Sequence, residues 1–245
     1  MPISVKICGL TDEKAVNAVI EAGADYAGFV YFPRSPRHLE LCAAGRLKSL
    51  LPKDVKSVSV LVDPDDALLQ QVADEIGPDY VQLHGDESPD RIRAIREKFS
   101  TFRLIKAISV REEADVERAL DYASCVDMLL FDAKPPLPPL PPGEGRGEGP
   151  STSENLKGPH PNPLLEGEGT VLPGGNGLSF DWDLLTGRYF PVPWILSGGL
   201  DAGNVREAMA RTGAAIVDVS SGVESAPGVK DAALIETFVK AAKDA

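Results

Sequence analysis

Eight short segments rich in β-branched and apolar residues recur along the chain, and each is followed by a stretch with helical periodicity. This alternation predicts consecutive strand–helix units and therefore a parallel sheet. The predicted strands are 5–10, 26–32, 57–62, 80–84, 103–109, 128–132, 194–197 and 215–219. The predicted helices are 12–22, 41–51, 66–76, 89–99, 112–123, 181–187, 204–211 and 232–242.

Eight such units favour an α/β fold, a single-domain (β/α)₈ TIM barrel spanning residues 1–245. The alternative is a doubly wound open sheet, which typically has a glycine-rich dinucleotide loop after its first strand. Gly9 follows the first strand without further glycines at that spacing, so the barrel is favoured. Helix signals agree with these boundaries: Asp12 and Ser88 stand at N-cap positions, and Gly23 and Gly213 close helical stretches.

One segment, about 135–173, interrupts this pattern after strand six. It contains 11 of the 21 prolines, and residues 143–149 read Gly-Glu-Gly-Arg-Gly-Glu-Gly. Such a composition cannot bury a core, so the sequence predicts a long disordered insertion. A proline-rich docking site for an SH3-like partner is the alternative interpretation.

Charge and composition narrow the classes of partner. The chain has 25 Lys and Arg against 37 Asp and Glu, a formal net charge of −12, which disfavours nucleic acid as a partner. No apolar run is long enough to cross a membrane, and the N-terminus lacks signal-peptide features. Three widely spaced cysteines make no disulfide framework, so we expect a reduced, cytoplasmic protein, either a monomer or a homodimer.

Two titratable residues stand at predicted strand ends, where active sites form in this fold. Cys8 ends strand one and Asp132 ends strand six. A thiolate base and a carboxylic acid facing each other across the barrel mouth would suit a proton-shifting isomerisation. Buried cysteines commonly serve as small apolar fillers instead, and we assign Cys42 and Cys125 to that class.

Glycine clusters near three strand–helix junctions predict a phosphate site. They occupy 174–177, before predicted helix six, 197–199, at the end of strand seven, and 220–222, at the end of strand eight. Exposed backbone N–H groups in such loops bind anions, and the loops after strands seven and eight commonly hold phosphate in this fold. The alternative is that the glycines only form tight turns. The predicted phosphate-binding residues are Gly175, Gly177, Gly198, Gly199, Ser220, Ser221 and Gly222.

Seven motifs, in order, resemble the phosphoribosylanthranilate isomerase family. They include Val-Lys-Ile-Cys-Gly-Leu-Thr at 5–11, Val-Gln-Leu-His-Gly at 81–85 and Val-Asp-Val-Ser-Ser-Gly-Val-Glu at 217–224. The others lie at 28–38, 130–134, 179–182 and 196–200. Together they span almost the whole chain except the insertion, which lies where relatives usually have a short connection.

The resemblance implies a (β/α)₈ barrel that catalyses an Amadori rearrangement in tryptophan biosynthesis. N-(5-phosphoribosyl)anthranilate would become 1-(2-carboxyphenylamino)-1-deoxyribulose 5-phosphate, with Asp132 as general acid and Cys8 as general base. No metal or cofactor is implied, since the substrate nitrogen acts as electron sink. Arg37 matches the position that holds the anthranilate carboxylate.

Three further residues are assigned to the substrate pocket on weaker grounds. Gln82 and His84 stand at the end of strand four and would line the pocket, although a structural hydrogen-bonding role suits His84 equally. Asp218 would contact the ribose-derived hydroxyls or orient the phosphate loop.

Two other functions compete with this interpretation. A related histidine-pathway isomerase would carry an aspartate where strand one here ends in Cys8. A non-enzymatic protein would recruit a partner through the proline-rich stretch 135–142. The joint presence of Cys8, Arg37, Asp132 and the glycine clusters favours the enzyme.

Overall fold

The structure, a computed structural model, describes residues 2–133 and 179–245 and contains a closed parallel barrel. Eight strands are hydrogen-bonded in chain order, and the eighth pairs with the first. The predicted barrel is confirmed and the open sheet is excluded. The strands are Ser4–Cys8 (β1), Tyr26–Tyr31 (β2), Lys56–Leu61 (β3), Tyr80–Leu83 (β4), Arg103–Val110 (β5), Met128–Ala133 (β6), Trp194–Leu196 (β7) and Ile216–Val219 (β8).

Helices connect most of these strands, and local capping fixes where several of them begin. The Asp12 carboxylate accepts a hydrogen bond from the Ala15 N–H at 2.8 Å, and the Ser88 hydroxyl accepts one from Arg91 at 3.2 Å. Gly23 ends the first helix with φ +74°. The helices are Glu13–Ala22 (α1), Leu41–Lys48 (α2), Asp66–Glu75 (α3), Pro89–Lys98 (α4), Glu113–Arg118 (α5), Val205–Thr212 (α6) and Ala232–Lys243 (α7).

The apolar residues form two layers because successive strand residues point to opposite faces of the sheet. The outer layer packs strand residues such as Val5 and Ile7 with apolar residues of the helices. The inner layer fills the barrel with Val58, Val60, Ile105 and other side chains, and it includes Cys8. Polar inward-facing residues such as Gln82 and Asp132 lie near the C-terminal ends of their strands, where the site lies.

The predicted helix 181–187 is wrong: only a short 3₁₀ helix, Trp182–Leu185, forms there. The Asp181 carboxylate accepts a hydrogen bond from Asp183 N–H, and Gly187 at φ +69° ends the segment within two turns. A segment this short does not repay the cost of helix nucleation. The predicted helix 112–123 is likewise α-helical only in α5 and continues as a 3₁₀ helix, Ala119–Tyr122.

A two-stranded antiparallel hairpin after β8 was not predicted. It pairs Glu224–Ala226 (β9) with Val229–Lys230 (β10), and its strands of three and two residues are too short to show alternation. The predicted insertion, 135–173, and the glycines Gly175 and Gly177 lie outside the described residues. Within the described ranges, every helix is too short or too polar to cross a bilayer.

Candidate active site

The candidate active site lies at the C-terminal ends of the barrel strands. Cys8 is the last residue of β1 and Asp132 the next to last of β6, and both are buried. Backbone alternation places Lys6 on the same face of β1 as Cys8, inside the barrel. The strand ends thus carry both residues predicted to act as base and acid.

Close packing against β2 holds the Cys8 side chain. Cys8 pairs in register with Gly28, and a β-carbon at Gly28 would lie 3.0 Å from the Cys8 Sγ and 3.1 Å from its Cα. Glycine at this position therefore leaves room for the thiol. The carbonyl of Cys8 accepts a hydrogen bond from the Ser220 hydroxyl at 3.0 Å, which ties β1 to the loop after β8.

A buried ion pair lies beside Cys8. Lys6 is fully buried, and its Nζ lies 2.8 Å from Asp218 Oδ1, while the Ser197 hydroxyl donates to Asp218 Oδ2 at 3.0 Å. Burial is the largest single influence and lowers the pKa of Lys6. The charge interactions and hydrogen bonds of Lys6 with Asp218 and Cys8 together outweigh burial, so the pKa is raised above its ordinary value. Lys6 therefore stays an ammonium ion inside the barrel.

Burial and neighbouring charges shift the pKa of the Cys8 thiol in opposite directions. Burial raises its pKa above the ordinary value; Lys6 opposes this shift, Asp218 adds to it, and Lys230 opposes it. The net direction is upward. The thiolate form is thus disfavoured by burial and partly recovered by the two lysines.

Asp132 is fixed by the backbone of the next residue, Ala133, and by the loop after β7. Its Oδ1 accepts a hydrogen bond from the Ala133 N–H at 2.9 Å. Gly198 has φ +88°, and a β-carbon there would lie 2.7 Å from the Ala133 nitrogen and 3.2 Å from Asp132 Oδ1. Only glycine permits this approach, so the β7 loop rests directly against the carboxyl group.

The predicted pocket residues Gln82 and His84 lie next to Asp132. Gln82 Nε2 is 2.9 Å from His84 Nδ1, and His84 Nε2 is 3.4 Å from Asp132 Oδ2. Gln82 Oε1 and His84 Nε2 are buried without a hydrogen-bond partner among the described residues. The structure therefore brings these three predicted residues together.

Arg37 joins a second charged cluster at the mouth of the barrel. Its Nε and Nη2 donate to the two carboxylate oxygens of Glu224 at 2.7 and 2.8 Å. Lys230 Nζ donates to Glu224 Oε1 at 2.7 Å and to the Ser220 carbonyl at 2.8 Å. Glu224 thus links Arg37 with the loop after β8. Burial opposes ionisation of Glu224, but the Arg37 and Lys230 contacts prevail and its pKa is lowered.

The predicted phosphate-binding residues that fall in the described ranges lie on two neighbouring loops. Gly198 and Gly199 follow β7, whereas the other three follow β8. A β-carbon at Gly222 would lie 2.0 Å from the Leu200 carbonyl oxygen, so the loops are in direct contact. The residues after β8 are Ser220, Ser221 and Gly222.

Three charged residues of this site were not identified in the sequence: Lys6, Glu224 and Lys230. Lys6 had a signal, since a lysine two residues before Cys8 within an apolar strand shares its inward face. The positions of Glu224 and Lys230 depend on the short hairpin, whose strands are too short to show an alternating pattern in the sequence. Among the described residues, no cluster of three or more His, Cys, Asp or Glu side chains has the geometry of a metal site.

The comparisons with known proteins identify a family. The family described as N-(5'phosphoribosyl)anthranilate (PRA) isomerase matches residues 5–241. The chain is 46% identical over 243 residues to an N-(5'-phosphoribosyl)anthranilate isomerase from Paramagnetospirillum magneticum, covering 99% of this chain and 98% of that protein. It is 45% identical to the protein of the same name from Parvibaculum lavamentivorans, covering all of both chains.

Solved structures that resemble this chain belong to the same family. The phosphoribosyl anthranilate isomerase of Thermotoga maritima matches with a TM-score of 0.76 and 33% identity, covering 99% of this chain and 100% of that one. A phosphoribosyl anthranilate isomerase in complex with reduced 1-(o-carboxyphenylamino)-1-deoxyribulose 5-phosphate matches with a TM-score of 0.73 and 32% identity, with the same coverage. The chain therefore belongs to the N-(5'-phosphoribosyl)anthranilate isomerase family.

Proposed function

We propose that Asp132 and Cys8 perform the acid and base steps of the reaction that defines this family. That reaction converts N-(5-phosphoribosyl)anthranilate into 1-(2-carboxyphenylamino)-1-deoxyribulose 5-phosphate in tryptophan biosynthesis, and it is the activity of this chain. The observation that carries the proposal is the placement of a buried thiol and a buried carboxyl at the ends of β1 and β6 of one closed barrel.

In the first step, Asp132 protonates the ribose ring oxygen, and the ring opens to an iminium ion. The Cys8 thiolate then removes the proton from C2′, which gives an enolamine. The enolamine then tautomerises to the ketone. C1′ takes up the proton carried by the Cys8 thiol, and the enol hydroxyl returns a proton to Asp132, so protons balance and both side chains regain their starting states. The substrate nitrogen accepts the electron pair, and we expect no metal or cofactor to take part.

The charged clusters have distinct proposed roles. Arg37 binds the anthranilate carboxylate, and Glu224 holds its guanidinium in a fixed orientation through two hydrogen bonds. Asp218 was predicted to contact ribose hydroxyls or orient the phosphate loop; its bonds to Lys6 and Ser197 support a role in fixing the charge beside Cys8.

We further propose that the loops after β7 and β8 bind the substrate phosphate, together with Gly175 and Gly177. A related structure is described as a complex with a phosphorylated ligand, which supports a phosphorylated substrate for this chain. Cytoplasmic location and a monomeric or dimeric state stay predictions; one relative, from T. maritima, is described as dimeric.

The direct test measures the loss of fluorescence of N-(5-phosphoribosyl)anthranilate on incubation with the full chain. We expect turnover without added metal, and unchanged turnover in the presence of a chelator. Activity that disappears with the chelator and returns with a metal would contradict the proposed cofactor-free chemistry.

A second prediction concerns the insertion. We expect deletion of residues 137–172 to change kcat/KM by less than tenfold, because the composition predicts a flexible connection and the closure entropy of such a connection rises slowly with its length. The deletion shortens the connection between β6 and residue 179 about fivefold, which should raise the free energy of unfolding by about 1.4 kcal/mol. Steady-state kinetics and urea unfolding of both chains check this. A rise in kcat/KM of tenfold or more would show that the insertion obstructs catalysis.

A further inference from the structure

Two buried cations share one buried carboxylate at the mouth of the barrel. Arg37 Nε and Lys230 Nζ both donate to Glu224 Oε1 at 2.7 Å, and Arg37 Nη2 donates to Glu224 Oε2 at 2.8 Å. The side chains of Arg37, Glu224 and Lys230 are 6%, 4% and 0% exposed. These three residues therefore carry two positive charges against one negative charge.

The other buried lysines of the described ranges are paired differently. Lys6 lies 2.8 Å from the Asp218 carboxylate, and Lys106 lies 2.6 Å from the Glu87 carboxylate. Each of these pairs joins one cation to one anion, so each is neutral as a whole. Lys230 instead adds a second positive charge to a carboxylate that a guanidinium already engages.

The hairpin after β8 fixes the shared carboxylate. Glu224 and Lys230 are register partners in β9 and β10, and the Gly228 N–H in the turn between them donates to Glu224 Oε2 at 3.2 Å. A β-carbon at Gly9 would lie 2.5 Å from Arg37 Cδ, so the arginine stem crosses the residue that directly follows β1. The charged group thus borders the interior of the site.

The surroundings of Lys230 favour the ammonium form. Its Nζ donates to Glu224 and to the Ser220 carbonyl and hydroxyl oxygens, at 2.7, 2.8 and 3.3 Å. The Ser220 hydroxyl donates its own proton to the Cys8 carbonyl, so it acts as an acceptor toward Lys230. Burial lowers the pKa of Lys230 below its ordinary value, and the charge of Glu224 opposes this shift. A neutral amine would turn a lone pair toward one of three acceptors, whereas the ammonium ion has a proton for each.

The excess positive charge has a consequence for anion binding. Arg37 and Glu224 alone would form a neutral pair, which attracts a second carboxylate weakly. With Lys230 the group is positive by one charge, and burying a net charge is costly until a counter-charge arrives. A carboxylate that binds beside Arg37 supplies that counter-charge.

We propose that Lys230 determines the preference of this site for a substrate with a ring carboxylate, because it gives the subsite at Arg37 its net positive charge. Lys230 acts through Glu224 and through its charge, so it is a specificity-determining residue and takes no part in the proton transfers. The inference rests on the proposed binding of the anthranilate carboxylate by Arg37.

The test compares the binding of two ligands to the full chain by isothermal titration calorimetry near neutral pH. One is the reaction product with its ketone reduced to an alcohol, and the other is the same compound without the ring carboxylate. Both keep the phosphate, so the ratio of their Kd values reports on the carboxylate alone. Because neither ligand is turned over, a change in the reactivity of Cys8 does not affect the result.

We expect Lys230→Met to weaken binding of the carboxylated ligand by about 10- to 30-fold, the contribution of one unit charge over roughly 8–12 Å at an effective dielectric constant of about 20. Binding of the other ligand should change far less. The matched control is Lys106→Met, which removes an equally buried lysine whose charge Glu87 already balances. It should leave the ratio of Kd values unchanged. An unchanged ratio in Lys230→Met would overturn the proposal.

A charge-restoring variant separates charge from packing. In Lys230→Met/Glu224→Gln the guanidinium of Arg37 is no longer neutralised by Glu224, so the three positions again sum to one positive charge. We expect its ratio of Kd values to recover toward the wild-type value, whereas a packing role for Lys230 predicts a further loss. A ratio no better than that of Lys230→Met would contradict the proposal. Should Lys230→Met fail to fold, Lys230→Gln, which keeps a donor for Glu224, takes its place in both variants.

Arg37→Met distinguishes failure of this inference from failure of the proposed function. If the preference for the carboxylated ligand survives in Arg37→Met, the carboxylate does not bind at Arg37, and both the assignment and the inference are wrong. If Arg37→Met abolishes the preference and Lys230→Met retains it, the assignment of Arg37 stands and the inference about Lys230 is wrong.

Discussion

Replacing Asp132 with Asn, or Cys8 with Ala, is expected to lower kcat/KM by about 10²–10⁴-fold, the usual contribution of a positioned acid or base. Asn keeps the shape of Asp132 and an oxygen that accepts the Ala133 N–H, but it has no acidic proton for the ring oxygen. Ala at position 8 leaves the Gly28 side of the site uncrowded and removes the thiol that we propose as the base.

Steady-state kinetics with the fluorescent substrate measure both losses, and Cys125→Ala is the matched control. Cys125 is also buried, but its thiol donates to the Tyr122 carbonyl and lies outside the barrel interior. We expect Cys125→Ala to leave kcat/KM unchanged. If Asp132→Asn or Cys8→Ala kept more than a tenth of the wild-type value, the corresponding acid or base assignment would be wrong.

Lys6→Met is expected to lower the free energy of unfolding by about 3–5 kcal/mol, because it leaves the buried Asp218 carboxylate without its counter-charge. It should also make the Cys8 thiol harder to ionise. Burial already raises the pKa of Cys8, and the positive charge of Lys6 opposes that shift. Removing the charge moves the pH at which Cys8 reacts with iodoacetamide further upward.

Urea unfolding and alkylation rates across pH, measured in a Cys42→Ser/Cys125→Ala background, check both effects. Lys106→Met is the matched control, since Lys106 and Glu87 form an equally buried ion pair 2.6 Å apart. It should lose similar stability but leave the alkylation profile of Cys8 unchanged. Asp218→Asn should move that profile in the opposite direction, because Asp218 raises the pKa of Cys8. Equal shifts in Lys6→Met and Lys106→Met would indicate a general loss of packing instead.

The sequence by itself determined the elements and their order. Strand and helix positions follow from local periodicity, and caps such as Asp12 and Ser88 act within one turn of the chain, so neighbouring residues suffice to predict them. Eight alternating units then favour a parallel barrel, and a parallel barrel brings the ends of β1 and β6 to the same face. Cys8 and Asp132 could be predicted as an acid–base pair for that reason.

Tertiary structure alone decided what surrounds those two residues. The pairing of Lys6 with Asp218 joins residues 212 positions apart, and that of Arg37 with Glu224 joins residues 187 apart. The contacts of Gln82 with His84 and of His84 with Asp132 likewise join the end of β4 to β6. Buried charges and hydrogen bonds depend on distances and on exclusion of water, and both arise only when the barrel closes. Residue types and spacing therefore predicted Cys8 and Asp132 as base and acid, whereas closure of the barrel placed the charged and polar groups around them.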